Sequence, residues 1–419
     1  MKVFKFGGAS INSAARIINL KAILEKEGTE GLVLIVSAMG KTTNKIEHIL
    51  RCFLHDEDYN SALEKLKSEF TAVASELFPA NSIIYDKIDS LFTEMESKLI
   101  EYKDKPYNFL YDQVVSYGEL ITAELIASYL ADEGFDNTLL SATEYIVTDG
   151  TYRDATVNWS KTCENIKKLA GRETFFITQG FIAGNELGYT TTLGREGSDY
   201  TAGIFAYCLD ANELTIWKDV IGVLNADPRH FQDTVLLEHV SFNEAIELAY
   251  YGASIIHPKT IQPLHRKGIP LKVRSFISPT ESGTEVSAGA DLVPDVPCYI
   301  LKQHQQLLKV ASKEFSFIVE NDISDIFKIL CETQMKVNLM HNSAISLSLC
   351  IDDRLGDIRK CIDILEENYN VNFIEDVTLY TVRNFCQKDF QKRFGEIKPL
   401  LRQRKDNVEH IIIEKDDEN

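Results

Sequence analysis

The sequence predicts an α/β fold, a mainly parallel sheet sandwiched by helices, followed by a smaller α+β unit. Three observations carry this. LVLIVSA is an unbroken apolar run bounded by Gly31 and Gly40, the pattern of a strand buried on both faces of a parallel sheet. Strand-like and helix-like stretches then alternate over roughly residues 1–280. Beyond a Gly- and Pro-containing stretch, SGTEVSAGADLVPDVP (282–297), a second and shorter alternation begins.

In order, VFKF is a short strand, Ser13 to Glu27 has helical spacing, and LVLIVSA is the second strand. From Asn44 to about Tyr111 the pattern is helical and charge-rich, which predicts a helical insertion. ELITAELIASYL is helical, TFFITQGFIAG is strand and turn, and ELTIWKDV is a strand leading into IGVLNADPR. SFNEAIELAYYGAS is helical and IPLKVRSF is a strand. The first domain is expected over 1–285, with 282–297 as a linker. In the tail, LLKVAS, ISDIFKILCETQM, KVNLM, AISLSLCID, LGDIRKCIDILEENY and VTLYTVRNF run β-α-β-β-α-β, the ferredoxin-like order. VEHIIIE closes the chain, so two interleaved or tandem units are expected over 300–419, the second one short.

The chain has 419 residues, 44% hydrophobic and 26% charged, as in a soluble globular protein of two or three domains. A net charge of −19 argues against nucleic acid or an anionic membrane surface as partner, because both call for basic patches. An anionic substrate would therefore need locally concentrated cations. Eight cysteines without metal or CxxC spacing read as reduced thiols in a cytoplasmic setting. MKVFKFGGAS has no long apolar leader, and the run near GLVLIVSAM is too short to span a bilayer.

Several stretches can carry chemistry. FKFGGAS sets a lysine and two glycines where an ammonium and bare N–H groups can surround phosphate oxygens, although for GG alone a strand ending in a tight turn is the better reading. SAMGKTTNKI looks like a P-loop, but Ile35 stands where that motif needs glycine, so Ser37, Thr42 and Thr43 remain either ligand hydroxyls or helix caps. In SYGELITAEL, Ser116 and Glu119 have capping-box spacing. TTLGREGSDYTAG combines Gly194 and Gly197 for backbone freedom, Arg195 for a carboxylate, and Ser198 and Asp199 at a helix start. Lys218 and Asp219 end a strand, where open α/β sheets bind ligands, and Asp227-Pro228-Arg229 forms a rigid turn. His257, before a proline, reads as structural.

Taken together, FKFGGAS, SYGE, TQGFIAG, TTLGREGSD, WKDVIGVLNADPR, GASIIHPKT and NSAISLS resemble the aspartate kinases, in order and over nearly the whole chain. The resemblance implies the amino-acid kinase fold with a C-terminal ACT-type regulatory region. It implies ATP-dependent phosphorylation of the side-chain carboxylate of L-aspartate, with Mg²⁺ carried by the nucleotide, at the start of the lysine, threonine and methionine pathway. By motif, Lys5 contacts the transferring phosphoryl group and Gly7, Gly8 and Ser10 line the phosphate site. Ser37 and Thr43 lie near substrate, Glu119 and Asp199 hold its ammonium, and Arg195 holds its α-carboxylate beside Ser198. Lys218, Asp219 and Arg229 fall in the nucleotide-binding strand and loop.

Five positions depart from the family pattern: Ala9 for Thr, Glu196 for Gly, Lys218 for Thr, Leu224 for Tyr and Ser254 for a nucleotide-contacting Lys. Lys218 is expected to compensate for that missing lysine, and Glu196 to point away from substrate, into solvent or onto a neighbouring base. The chemistry needs no general base, since a carboxylate of pKa near about 4 is ionised at neutral pH. Two rival readings remain: a kinase for glutamate or acetylglutamate, and a catalytically weak sensor of amino acids. The ACT-type region implies a homodimer or higher homo-oligomer with lysine or threonine as effector, and Asn338, Asn342 and Ser343 are its candidate pocket. Lacking a G-x-G-x-x-G fingerprint, the chain reads as monofunctional.

Overall fold

Continuous apolar runs become central strands because both faces of a parallel sheet are covered by helices. The computed structural model describes residues 1–414 except 254, 255, 290, 315, 355, 396 and 397. These residues group into two units. One comprises Met1–Val223, Leu236–Ile246 and Ser254–Pro294, the other Leu224–Val235, Glu247–Ala253 and Asp295–Asn419.

The strands of the first unit are, in chain order, β1 (Lys2–Phe6), β2 (Leu32–Val36), β3 (Asn137–Leu140), β4 (Val147–Thr148), β5 (Phe175–Gln179), β6 (Ile182–Asn185), β7 (Thr190–Thr192), β8 (Glu213–Lys218), β9 (His239–Ser241), β10 (Leu271–Ser275), β11 (Thr284–Ser287) and β12 (Leu292–Val293). Nine of them form one sheet in the order β12-β9-β11-β10-β8-β1-β2-β5-β3, and β4-β6-β7 form a small second sheet. From β3 through β10 all neighbours are parallel, with Lys5 level with Ile35 on β2 and Ile216 on β8. The α/β class and its mainly parallel sheet are thus as the sequence predicts.

Phe4, Phe6 and Trp217 anchor the sheet core, with Phe6 stacked on Trp217 at 5.8 Å and Phe4 edge-on to it at 5.9 Å. Between β2 and β3 lie the helices Thr42–Leu54, Asn60–Leu77, Ile84–Glu101, Tyr107–Val115 and Tyr117–Asp132. Their apolar residues recur every three or four positions, as in Ile84, Ile88, Phe92, Met95 and Leu99, and are buried. The stretch Tyr107–Asp132 is long and apolar enough to cross a membrane by length and composition, yet it is mostly buried inside the protein.

The stretch 282–297 is not simply a linker. It contributes β11, antiparallel to β10 and parallel to β9, and β12, antiparallel to β9. Its alternation TEVS is too short to outweigh the surrounding glycines and prolines in a sequence reading.

The second unit contains β13 (Cys298–Ser312), β14 (Lys336–Asn342), β15 (Ser346–Asp352), β16 (Tyr369–Arg383), β17 (Leu401–Lys405) and β18 (Val408–Glu414) in the order β14-β15-β13-β16-β18-β17, all antiparallel. The helices Glu320–Glu332, Ile358–Glu366 and Gln387–Phe394 complete it. The 15-residue strands β13 and β16 run side by side with register shifts between Lys302 and Leu307. The halves beyond the shift, with β14, β15 and two helices, give the β-α-β-β-α-β order around a core of Leu308, Val310, Ile326, Leu349 and Leu365.

Candidate functional site

Four neighbouring strands, β5, β2, β1 and β8, end at one edge of the parallel sheet, the edge where such sheets bind ligands. The turns beyond them and the helices Tyr117–Asp132 and Gly197–Cys208 surround a cavity of about 380 Å³. It is lined by Lys5, Gly8, Ser37, Thr43, Glu119, Glu196, Ser198, Asp199 and Lys218, together with Ala9, Ala38, Gly40, Phe181, Gly194 and Gly197.

The backbone turns approach closely. A Cβ on Gly8 would lie 2.3 Å from the Ala38 carbonyl oxygen and 3.0 Å from that of Gly40, so only glycine fits between them. Gly40 N–H donates to Gly8 O at 2.9 Å, tying the turn after β1 to the turn after β2. Gly180 has a similar constraint, since its Cβ would lie 2.5 Å from that of Ser198.

At one end of the cavity sits a charge cluster. Lys5 Nζ lies 2.6 Å from Asp199 Oδ1, and Lys218 Nζ lies 3.3 Å from Oδ2. Burial works against ionisation of Asp199, but the two lysines outweigh it and hold the carboxyl below the ordinary value. Glu119 is the opposite case. It is 3% exposed, burial pushes its carboxyl up from 4.5 to about 8, and Oε2 is buried without a hydrogen-bond partner among the described residues. A buried acid with an open oxygen is stabilised by a cation or a donor brought by a ligand. Glu119 is not part of a capping box. The Ser116 hydroxyl donates to the Gln113 carbonyl and makes no cap to the helix that follows.

Of the two directions expected for Glu196, solvent and a neighbouring base, the first is overturned and the second agrees with Lys218 as the strongest charge acting on it. Glu196 does not point into solvent. It lines the cavity, Oε2 is buried without a partner, and burial pushes its carboxyl up, with Lys218 the strongest charge opposing that shift. Arg195 is the exposed member of the pair, with no ion pair among the described residues. The reason is local: Glu196 is left-handed at φ 52°, ψ 31°, which turns adjacent side chains to faces that a strand or helix pattern would not assign.

The remaining positions divide as follows. Ser10 is buried, its N–H bonded to the Gly7 carbonyl, and Gly7 stands beside the Lys5 ammonium, which a Cβ there would meet at 3.4 Å. Thr42 donates to the Met39 carbonyl, leaving Thr43 on the cavity. His257 accepts from Lys259 N–H and caps the helix Pro258–Lys267. Asp219 is exposed just past β8. Arg229 belongs to the second unit, where its guanidinium is paired with Asp227 at 2.6 Å, and Leu224 there is half-buried. Ser254 lies outside the described residues. Asn338 has both amide ends engaged, accepting from Lys302 at 2.8 Å and donating to Gln305 at 2.6 Å. Burial pushes that lysine's ammonium down to about 8. Ser343 closes the β14–β15 turn against Ser346, and Asn342 is exposed.

Sequence reasoning missed the support for the loop that carries Gly194. Asp112 is fully buried and accepts from Thr192 N, Thr192 Oγ1 and Arg153 N at 2.8–3.0 Å. Gln113 exchanges two hydrogen bonds with Thr190. These partners are 41, 77 and 80 residues away, so no local pattern could have paired them.

A family model described as the amino acid kinase family matches residues 1–275. The chain is 30% identical over 365 residues to Aspartokinase 3, chloroplastic, of Arabidopsis thaliana, covering 84% of this chain and 64% of that protein. It is 30% identical over 295 residues to a bifunctional aspartokinase/homoserine dehydrogenase of Buchnera aphidicola, covering 68% and 36%. The chain thus spans between about a third and two thirds of the length of these curated relatives. In fold it is similar to E. coli aspartokinase III in complex with lysine and aspartate, with TM-score 0.81, 23% identity and coverage of 99% and 96%. It is also similar to the aspartate kinase of Clostridium acetobutylicum, with TM-score 0.79, 20% identity and the same coverage. The matched segment contains the parallel sheet and the cavity at its carboxyl edge, and the chain belongs to the amino acid kinase family.

Proposed function

We propose that this protein transfers the γ-phosphoryl group of ATP to the side-chain carboxylate of L-aspartate, giving 4-phospho-L-aspartate. The observation that carries the reading is the cavity's two-sided charge: paired lysines at one end and the buried, open carboxyl of Glu119 in the same space. A free amino acid meets both demands, because its ammonium answers Glu119 while its carboxylate and the incoming phosphates answer the cations. An acetylated amino acid offers no ammonium. Two solved structures of one relative support this: E. coli aspartokinase III is known in complex with lysine and aspartate, and also with aspartate and ADP.

In this reading Lys5 faces the transferring phosphoryl group, and Asp199 fixes that lysine and Lys218 in place. The bare backbone of Gly7 and Gly8 and the first N–H groups of the helix from Gly197 cradle phosphate oxygens, as helix starts do, with Ser10 supporting the turn. Ser37, Thr43 and Ser198 present hydroxyls to the substrate. Arg195 takes the α-carboxylate by turning its exposed guanidinium inward, a rotamer change of the kind common on binding. Because the nucleophile is already ionised, positioning and charge neutralisation supply the catalysis. Mg²⁺ would arrive on the nucleotide and neutralise phosphate charge there, while Asp199 remains paired with Lys5 and Lys218. Lys218 and Asp219 serve the nucleotide.

The second unit is assigned a regulatory role, with lysine or threonine as effector near Asn338, Asn342 and Ser343, in a homodimer. The primary reading is tested by ADP release with L-aspartate, N-acetyl-L-aspartate and L-glutamate. Turnover with L-aspartate alone is expected. Equal turnover of the acetylated compound would remove the role given to Glu119.

A further inference from the structure

The first unit holds a second cavity, of about 270 Å³, that shares no lining residue with the one described above. The helix Pro258–Lys267 gives it Lys259, Gln262, Pro263 and Arg266, spaced i, i+3, i+4 and i+7 along one helix face. Tyr200, on the helix Gly197–Cys208, and Trp159, at the start of the helix Trp159–Lys167, form an aromatic wall, edge to face at 6.3 Å. Ala155, Val157 and Pro263, all buried, add apolar surface. The charges do not balance. Asp154 and Lys259 pair at 2.5 Å, whereas Arg266 has no ion pair and the Tyr200 hydroxyl no hydrogen bond among the described residues. Burial pushes that hydroxyl up from its ordinary value, so it stays a donor. One unanswered positive charge thus stands beside two aromatic rings.

The same residues reach the loop that carries Gly194. Ala155 N–H donates to the Thr192 carbonyl at 2.9 Å, and a Cβ on Gly194 would meet Asp154 Oδ1 at 2.4 Å. Tyr200 directly follows Asp199. We propose that this cavity is a ligand site of its own, for a small organic monoanion with a carboxylate on a planar apolar body, and that its occupant biases residues 192–199. Arg266 takes the carboxylate, Tyr200 donates to it, and the two rings enclose the body. A free amino acid fits less well, since its ammonium finds Asp154 already paired with Lys259. Phosphate leaves the aromatic wall unused. The effect on the loop rests on the aspartate reading above, whereas the binding site does not.

Tryptophan fluorescence tests the site, because Trp217 is sealed in the sheet core and Trp159, the other of the two tryptophans, stands at the cavity. Benzoate is the probe, with acetate, inorganic phosphate and L-phenylalanine for comparison. Benzoate is expected to change the emission saturably, and Trp159→Phe to abolish that signal. Arg266→Ala should weaken benzoate about tenfold, the worth of one charge-assisted hydrogen bond, with the Tm of the free protein unchanged. Each comparison compound should bind at least about tenfold more weakly. Equal binding of acetate or phosphate would mean a general anion patch, and equal binding of phenylalanine an amino-acid site. Either overturns the proposal, as does full benzoate affinity in Arg266→Ala or the lack of a saturable change. By reciprocity, benzoate should shift the calorimetric Kd for L-aspartate, and aspartate that for benzoate, by the same factor of about five or more. An unchanged aspartate Kd overturns the effect on the loop. Failure of aspartate to bind at all removes the acceptor reading instead, and the fluorescence titration still decides the site.

Discussion

At the scale of single residues, the site depends on where charge is left uncompensated. Glu119 gives the clearest prediction. Its carboxyl is raised from 4.5 to about 8 by burial, so between those values the folded protein holds a proton that the unfolded chain has released. Stability therefore falls as pH rises through that window, and the loss is complete above about pH 8. Glu119→Gln removes the titration. Its Tm should gain on the parent as pH goes from about 5 to about 8, read by calorimetry at both, while kcat/KM for aspartate falls. Lys5→Met should lower Tm, because it leaves the buried Asp199 carboxylate with Lys218 alone, and should lower kcat about 10²–10³-fold, the usual effect of removing one preorganised electrostatic contact, measured at saturating ATP. Lys5, Glu119, Ser198 and Asp199, named from short motifs and the family resemblance, do line one cavity, although the spacing around Glu119 by itself spoke for a capping box. The inward turn of Glu196 was not legible, because side-chain direction at a left-handed residue follows from backbone angles that no spacing rule encodes.

At the scale of elements, the cavity is assembled by close approach of turns. Gly8→Ala would push a methyl to 2.3 Å from the Ala38 carbonyl, a backbone atom that cannot yield as a flexible side chain would. Overpacking of this kind costs about 1–3 kcal/mol, so chemical denaturation should show a loss of that order together with a sharp fall in activity. Asp112 acts on a different element. It pins Thr192, two residues before Gly194, and the Arg153 backbone to the helix Tyr107–Val115. Asp112→Asn leaves fewer acceptors for three donors and should cost about 1–3 kcal/mol. If the pin serves the substrate loop, KM for aspartate rises more than KM for ATP. Equal shifts in both would assign Asp112 to stability alone. The central strands were readable because an unbroken apolar run has few alternatives. β11 and β12 were not, since short strands among glycines and prolines are made by their neighbours rather than by their own pattern.

At the scale of the whole molecule, a chain of net charge −19 is expected to handle two anionic substrates, which it can do only by concentrating cations where they are needed. The α/β class and the antiparallel second sheet followed from the order of strand and helix patterns. What that order could not reveal is that Leu224–Val235 and Glu247–Ala253 group with the C-terminal unit, because this depends on contacts distant in sequence. The regulatory role proposed for the second unit predicts that lysine or threonine raises Tm, as any ligand of the folded state must, and lowers turnover. Asn338→Ala should lose that response, because it removes the link between Lys302 and Gln305. No shift with either amino acid would count against an effector of this class.

The central claim is the acceptor, the side-chain carboxylate of L-aspartate. Its most direct test is trapping of the acyl phosphate with hydroxylamine in the presence of ATP and Mg²⁺. The account predicts hydroxamate that depends on L-aspartate and forms at the side-chain carboxyl. Hydroxamate formed only with glutamate or acetylglutamate, or none with any amino acid, would contradict it.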